Sequence, residues 1–245
     1  MSFVLIHGGG STARYWDRVA PLLPGTVLAV DLPGRNGRAG DLATITVDDE
    51  VDSVLSQVLD ARPDGGQRIV VVAHSSGGLV VPGVVAGLVG RVRHVVLIAA
   101  LVPPEGGCGL DGMQPRHADG LRRAMEQADR DGTTITLPGP PEDPEPLRAA
   151  YGGDPLDDDA LAFMADPVRH VADTVHHYLQ PVRWSLAADV PVTYVLNERD
   201  RPIPLPLQEE MIERLPHPPT VVRLRGGHVP AVTDPEALAA VIRAV

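Results

Sequence analysis

Six short runs of almost unbroken apolar residues constrain this chain more than any other feature. They lie at residues 3–6, 26–30, 68–73, 94–99, 192–196 and 220–224. A strand with one wet face alternates apolar and polar side chains, whereas a strand covered on both faces does not. Short runs separated by longer segments therefore read as strands of a mainly parallel sheet. Helices are expected between them, over residues 12–22, 48–59, 77–89, 205–215 and 234–245. The second places apolar residues at 51, 54, 55, 58 and 59, a stripe at helical spacing. Asp234-Pro235 opens the last with an N-cap acid and a first-turn proline. Pro82-Gly83 falls inside the third. An interior proline costs about 3 kcal/mol, so a kink or break is expected there. Alternation of strand and helix implies right-handed crossovers, hence an α/β fold with a six-stranded sheet flanked by helices.

One stretch breaks this rhythm. Residues 103–180 hold no convincing strand, only short helical segments joined by links such as Leu137-Pro138-Gly139-Pro140-Pro141. They read as a helical cap inserted into a core made of residues 1–102 and 181–245. The cap carries 15 Asp and Glu against 6 Arg, so most of the net charge of −11 sits there. A solvated outer surface explains that surplus; an entrance that disfavours anions is the functional alternative. A chain of 245 residues holds one such domain comfortably. Its acidity argues against binding nucleic acid or an anionic membrane. All 21 basic residues are Arg, which excludes lysine Schiff-base chemistry and a P-loop. Cys108 stands alone, so neither an internal disulfide nor a cysteine metal cluster can form. The 25 Gly and 25 Pro follow no period, and 44% hydrophobic content suits a globular core. The first apolar run lacks a basic leader and is too short for a signal peptide or membrane helix, so the cytoplasm is the expected location.

The segments just after the strands carry the chemistry, because open parallel sheets build their crevice outside the carboxyl ends of the strands. His7-Gly8-Gly9-Gly10 follows the first run, and His74-Ser75-Ser76-Gly77-Gly78 the third. Asn197-Glu198-Arg199-Asp200 follows the fifth, and Gly226-Gly227-His228 the sixth. Ser75 sits between a strand and a helix start, flanked two residues away by the small Ala73 and Gly77. That pattern suits a strained turn that exposes a nucleophilic hydroxyl. Serine needs an adjacent base. His228 is the candidate, since paired glycines let its loop turn tightly. Asp200 is the favoured acid to hold the imidazole, pinned by Arg201-Pro202-Ile203-Pro204. Glu198 and Asp189 compete, and Glu105 is a fallback. Two backbone amides, of Gly9 and Ser76, are the expected oxyanion donors. His7 is expected to brace the glycine loop and His74 to be structural. His176-His177 has no carboxylate at metal-ligand spacing, so no metal is expected there.

These stretches, with Val96-Leu97-Ile98-Ala99-Ala100 and residues 194–204, resemble the α/β-hydrolase superfamily over essentially the whole chain. Within it the chain is most similar to the plant methylesterase and hydroxynitrile lyase group and its bacterial esterase relatives. The resemblance implies a serine-esterase triad of Ser75, Asp200 and His228, an oxyanion hole from the Gly9 and Ser76 backbones, and neither cofactor nor metal. The order Ser, Asp, His is the one this fold uses. There are departures. Ala73 stands where the group usually has Gly. Hydroxynitrile lyases carry threonine where Gly8 stands and lysine where Val229 stands, so cyanohydrin cleavage is not expected. The expected activity is hydrolysis of a carboxylic ester or lactone of a small to medium, uncharged metabolite through an acyl-enzyme. Cyclase, lyase or acyl-transfer chemistry on the same fold is the alternative, and a ligand receptor a third reading. A small-molecule substrate is the expected partner, and a homodimer is compatible with the apolar cap edges. Tyr151, Phe163, Tyr178 and Trp184, in or beside the cap, either pack the core or line the pocket.

Overall fold

In the computed structural model all six expected strands pair in parallel. They are β1 (Ser2–Ile6), β2 (Thr26–Val30), β3 (Ile69–His74), β4 (Val92–Ile98), β5 (Val192–Asn197) and β6 (Thr220–Leu224), in the order β2-β1-β3-β4-β5-β6. The structure describes residues 1–61, 68–141, 143–151, 153 and 156–245. The four central strands have apolar residues on both faces because both faces are covered. Val4, Val71, Val95, Leu97 and Tyr194 enter one apolar cluster, and Phe3, Leu5, Val70, Val72, Val96 and Val195 the other. Each such side chain contributes about 1.5–3 kcal/mol by leaving water. The edge strands β2 and β6 depart from the expectation: they are partly exposed, having a neighbour on one side only.

Of the five expected helices, those at 48–59, 205–215 and 234–245 form, and those at 12–22 and 77–89 are broken. The segment at 12–22 forms two 3-10 turns, Ala13–Trp16 and Ala20–Leu22, with Pro21 in the second. An interior proline forfeits a helical hydrogen bond, which stops a continuous helix there. α1 (Val47–Ala61) buries Val51, Val54 and Val58 as the stripe requires, but Leu59 is 60% exposed while Glu50 and Gln57 turn inward. The segment after β3 begins as a 3-10 turn, Ser75–Leu79, and α2 (Val81–Gly87) starts beyond it. Pro82 therefore occupies the first turn of a new helix, where its missing N–H has no partner to lose. The break expected near it lies just before it.

Between β4 and β5 run α3 (Pro115–Asp131), α4 (Pro144–Tyr151) and α5 (Asp158–Ala165). This segment makes two antiparallel bridges, Ser11 with His170 and Leu137 with Asp173. α6 (Leu205–Glu213) follows β5, and α7 (Pro230–Thr233) and α8 (Pro235–Arg243) follow β6. Asp234 caps α8, accepting from the Ala237 amide at 3.2 Å. α7 is absent from the expected helices; its four residues are too few to show a period. Among the described residues no helix is long and apolar enough to cross a membrane.

Candidate active site

The turn after β3 fixes the first element of the site. Ser75 has φ +52°, a left-handed conformation that a side-chain-bearing residue adopts only when its surroundings compel it. The compulsion is visible. The Ser75 carbonyl accepts from the Leu101 amide at 2.9 Å. A Cβ on Gly77 would lie 2.6 Å from the His7 carbonyl oxygen, so the chain closes tightly only with glycine there. The turn ends in short 3-10 structure, whose first amides lack partners within the helix.

Ser75 Oγ lies 3.1 Å from His228 Nε2, and His228 Nδ1 lies 2.7 Å from Asp200 Oδ2. A carboxylate only accepts, so Nδ1 carries the proton and Nε2 is left to accept the serine hydrogen. The other Asp200 oxygen accepts from the Ile203 amide at 2.7 Å, inside the proline-rich turn. Asp200 and His228 are each only 5% exposed. The competing acids lie elsewhere. Glu198 is near Arg223, and Glu105 receives the Ser185 hydroxyl at 2.5 Å, which with the other Ser185 and Trp184 contacts lowers its pKa. Asp189 lies with His94 and Thr220 at the far end of the strands.

Two further histidines support the loops. His74 Nε2 donates to the His228 carbonyl at 2.7 Å, and its ring stacks on Tyr15 at 4.7 Å. Burial first, then the adjacent His228, push its pKa well below the ordinary value, so it stays neutral. His7 Nδ1 donates to the Gly8 carbonyl at 2.8 Å and so braces the glycine loop. Burial, reinforced by Arg35, lowers its pKa to about 3. Gly9 and Ser76 come together: a Cβ on Gly9 would lie 3.2 Å from Ser76 Oγ. Among the described residues the Gly9 amide donates to no protein acceptor.

Two cavities meet at Ser75 and His228. One, of about 940 Å3, is lined largely by apolar groups such as Leu101, Met113, Leu121 and Ile203. The other, of about 60 Å3, lies among Tyr15, Phe163, Met164, Val229 and Val232. Tyr151 borders both, its ring 6.2 Å from that of His228. Of the four aromatics singled out from sequence, Tyr151, Phe163 and Tyr178 line the cavities at Ser75, and Trp184 does not.

Sequence reasoning missed a buried polar cluster behind the glycine loop. Asp173 pairs with Arg35 and accepts from the Tyr178 hydroxyl at 3.0 Å. His177 lies 3.0 Å from Glu50 and 3.8 Å from Asp173. Burial alone would lower the His177 pKa, but Glu50 and then Asp173 raise it overall. The carboxylates that His176-His177 lacked in sequence reach His177 from α1 and from the segment before it. The legible signal was Arg35, an arginine in a glycine-rich loop directly after β2, at the same sheet edge as the other site residues.

The chain is similar to known proteins. The profile described as "Alpha/beta hydrolase family" matches residues 3–241. The putative methylesterase 11, chloroplastic, of Arabidopsis thaliana is 26% identical over 249 residues, covering 96% of this chain and 61% of that protein. The chain thus spans less than two thirds of that relative. The pimeloyl-[acyl-carrier protein] methyl ester esterase of Neisseria meningitidis serogroup B is 28% identical over 261 residues, covering 98% of this chain and 90% of that protein. The crystal structure of a pyrethroid hydrolase from Sphingobium faniae superposes with a TM-score of 0.79 at 22% identity, covering 99% and 95% of the two chains. With the profile spanning nearly its full length over a parallel sheet of the same architecture, the chain belongs to the alpha/beta hydrolase family.

Proposed function

We propose that this protein is a serine hydrolase of carboxylic esters, with Ser75 as nucleophile, His228 as base, Asp200 as its orienting acid, and the Gly9 and Ser76 amides as oxyanion donors. The observation that carries the reading is the continuous contact from Ser75 Oγ through the His228 ring to Asp200, at 3.1 and 2.7 Å. Ser75 Oγ attacks the ester carbonyl while its proton passes to His228 Nε2. The Asp200 carboxylate stabilises the imidazolium. The carbonyl oxygen becomes anionic against the two amides. His228 then protonates the departing alkoxide, leaving an acyl-enzyme. Water, deprotonated by the same nitrogen, releases the acid and restores Ser75.

The substrate we propose has two unequal arms about its carbonyl, matching the unequal cavities at Ser75. A small alcohol with a larger, mostly apolar acyl group fits the likeness to proteins named as methyl ester esterases. Residues 103–180 act as the cap that walls the larger cavity. Hydrolysis is favoured over cyanohydrin cleavage by the crowding at Gly8, where a Cβ would lie 2.8 Å from Ser75 Cβ and leave no room for a side-chain hydroxyl. The test is labelling by a fluorophosphonate together with turnover of a panel of methyl, aryl and lactone esters of graded acyl length. We expect one label per chain, abolished by Ser75→Ala, and turnover of methyl esters. Folded protein that neither labels nor turns over any ester would end this reading.

A further inference from the structure

The glycine loop and the nucleophile turn belong to different strands, yet one side chain touches both. The Tyr178 hydroxyl donates to Asp173 at 3.0 Å, and the Ser76 hydroxyl packs beside it against Gly9. These atoms pack on the α-carbon of Gly9. A Cβ there would lie 2.5 Å from the Tyr178 hydroxyl, 3.2 Å from Ser76 Oγ, and closer still to the Asp173 carboxylate. Behind Tyr178, Asp173 is held in turn. Arg35, 1% exposed, binds it while donating to the Ser11 carbonyl at 3.1 Å and the Pro33 carbonyl at 2.8 Å. The segment that carries Asp173 is sewn to the glycine loop as well. The Val171 amide donates to Gly10 at 3.0 Å, and the Thr12 amide to Arg169 at 3.1 Å.

We propose that Tyr178 is the positioning residue of the oxyanion hole, holding the loop of Gly9 and the turn of Ser76 at a fixed separation, with the Asp173–Arg35 pair as its anchor. The proposal rests on the serine-hydrolase reading above. Oxyanion stabilisation depends on donors fixed in advance at the place where charge develops, and a misplaced donor loses most of its worth. A hydroxyl packed against both donor segments therefore acts on the transition state more than on substrate binding. The sequence hid this. Tyr178 lies 102 positions beyond Ser76, in a segment without a strand to place it.

Tyr178→Phe removes the hydroxyl and keeps the ring. The expected result is a fall in kcat of about tenfold or more, with KM within about twofold of the parent. Affinity for a trifluoromethyl ketone, whose adduct with Ser75 bears the oxyanion, should fall by the same factor as kcat/KM. A merely structural role would lower the melting midpoint and leave that parallel unbroken only by chance across variants. Ser76→Ala, which keeps the backbone amide and removes only the hydroxyl beside Tyr178, is the second variant should Tyr178→Phe fail to fold. The double variant should be no worse than the poorer single one. Folded Tyr178→Phe and Ser76→Ala proteins with parental kcat and parental ketone affinity would overturn the proposal. Ser75→Ala, assayed alongside, separates the two failures: if it keeps parental activity the nucleophile reading falls and this proposal with it, whereas loss there beside a parental Tyr178→Phe sinks the positioning role alone.

Discussion

Leu97 on β4 and Leu121 on α3 are both buried leucines, at 0% and 7% exposure, but they are buried by different means. Leu97 lies in a central strand whose neighbours β3 and β5 are bonded to it on either side. Leu121 lies on a helix whose outward faces are charged, and it also borders the larger cavity. The strands fix the positions of Ser75, Asp200 and His228 through backbone pairing, which tolerates little drift. The segment between β4 and β5 supplies cavity walls through scattered apolar contacts, two isolated bridges and the buried pairs of Asp173 with Arg35 and His177 with Glu50. The proposed chemistry thus sits at the sheet edge, and shape is written where side chains are freer to change.

The sharpest way to break this division is at the edge itself. Ser75→Ala is expected to lower kcat by about 10^6-fold, with the fold intact, measured with the best ester from the panel. Asp200→Asn should cost about 10^4-fold, since an amide can hold the wrong imidazole tautomer. Activity above a hundredth of the parent in either variant would show that the edge does not carry the reaction. The burial side of the comparison is tested by truncation. Leu97→Ala should lower unfolding free energy by about 3–5 kcal/mol. Leu121→Ala should lower it by about 2 kcal/mol and also raise KM, because it enlarges a cavity that already exists. Equal costs, measured by urea titration, would erase the distinction between the two regions.

Acid titration offers a smaller effect. Burial keeps His7 and His74 neutral in the folded protein, whereas both take up protons near pH 6.5 when unfolded. Below that pH the unfolded chain binds more protons, so stability falls with falling pH, by at most about 1.4 kcal/mol per unit for each ring. His177 has the opposite sign. Its raised pKa gives stability that is complete below about pH 6.5 and is lost as pH rises through the folded-state value. Melting scans should therefore show decline on the acid side, and His177→Gln should flatten the alkaline side. The smallest effect is expected on the outer face of α3. Asp119→Ala breaks a pair with Arg122 that is exposed on both sides, and should change stability by less than about 0.5 kcal/mol.

What could be read from sequence follows the same boundary. Continuous apolar runs located all six strands, and the residues after them located Ser75, Asp200, His228 and the glycine loop, because a parallel sheet delivers every strand end to one edge. Helix stripes were less legible. In α1 the inward positions went to Glu50 and Gln57 instead of Leu59, since a buried histidine and the backbone of Asp31, just after β2, made polar partners available. The Arg35, Asp173 and Tyr178 cluster was invisible for a related reason. Its members meet through tertiary packing across 138 positions, and no period or local spacing announces such a meeting.

The antiparallel pairing of Ser11 with His170, beside the buried Arg35 contact, has a practical reach. Specificity within such enzymes invites grafting: exchange the variable stretch, keep the scaffold. Here the graft would sever threads that run straight into the glycine loop. A donor stretch lacking partners for Arg35 and for the Gly10 carbonyl would leave a stranded guanidinium in the interior and a slack glycine loop, so any successful chimera must bring residues 169–178, or their equivalents, as one inseparable module.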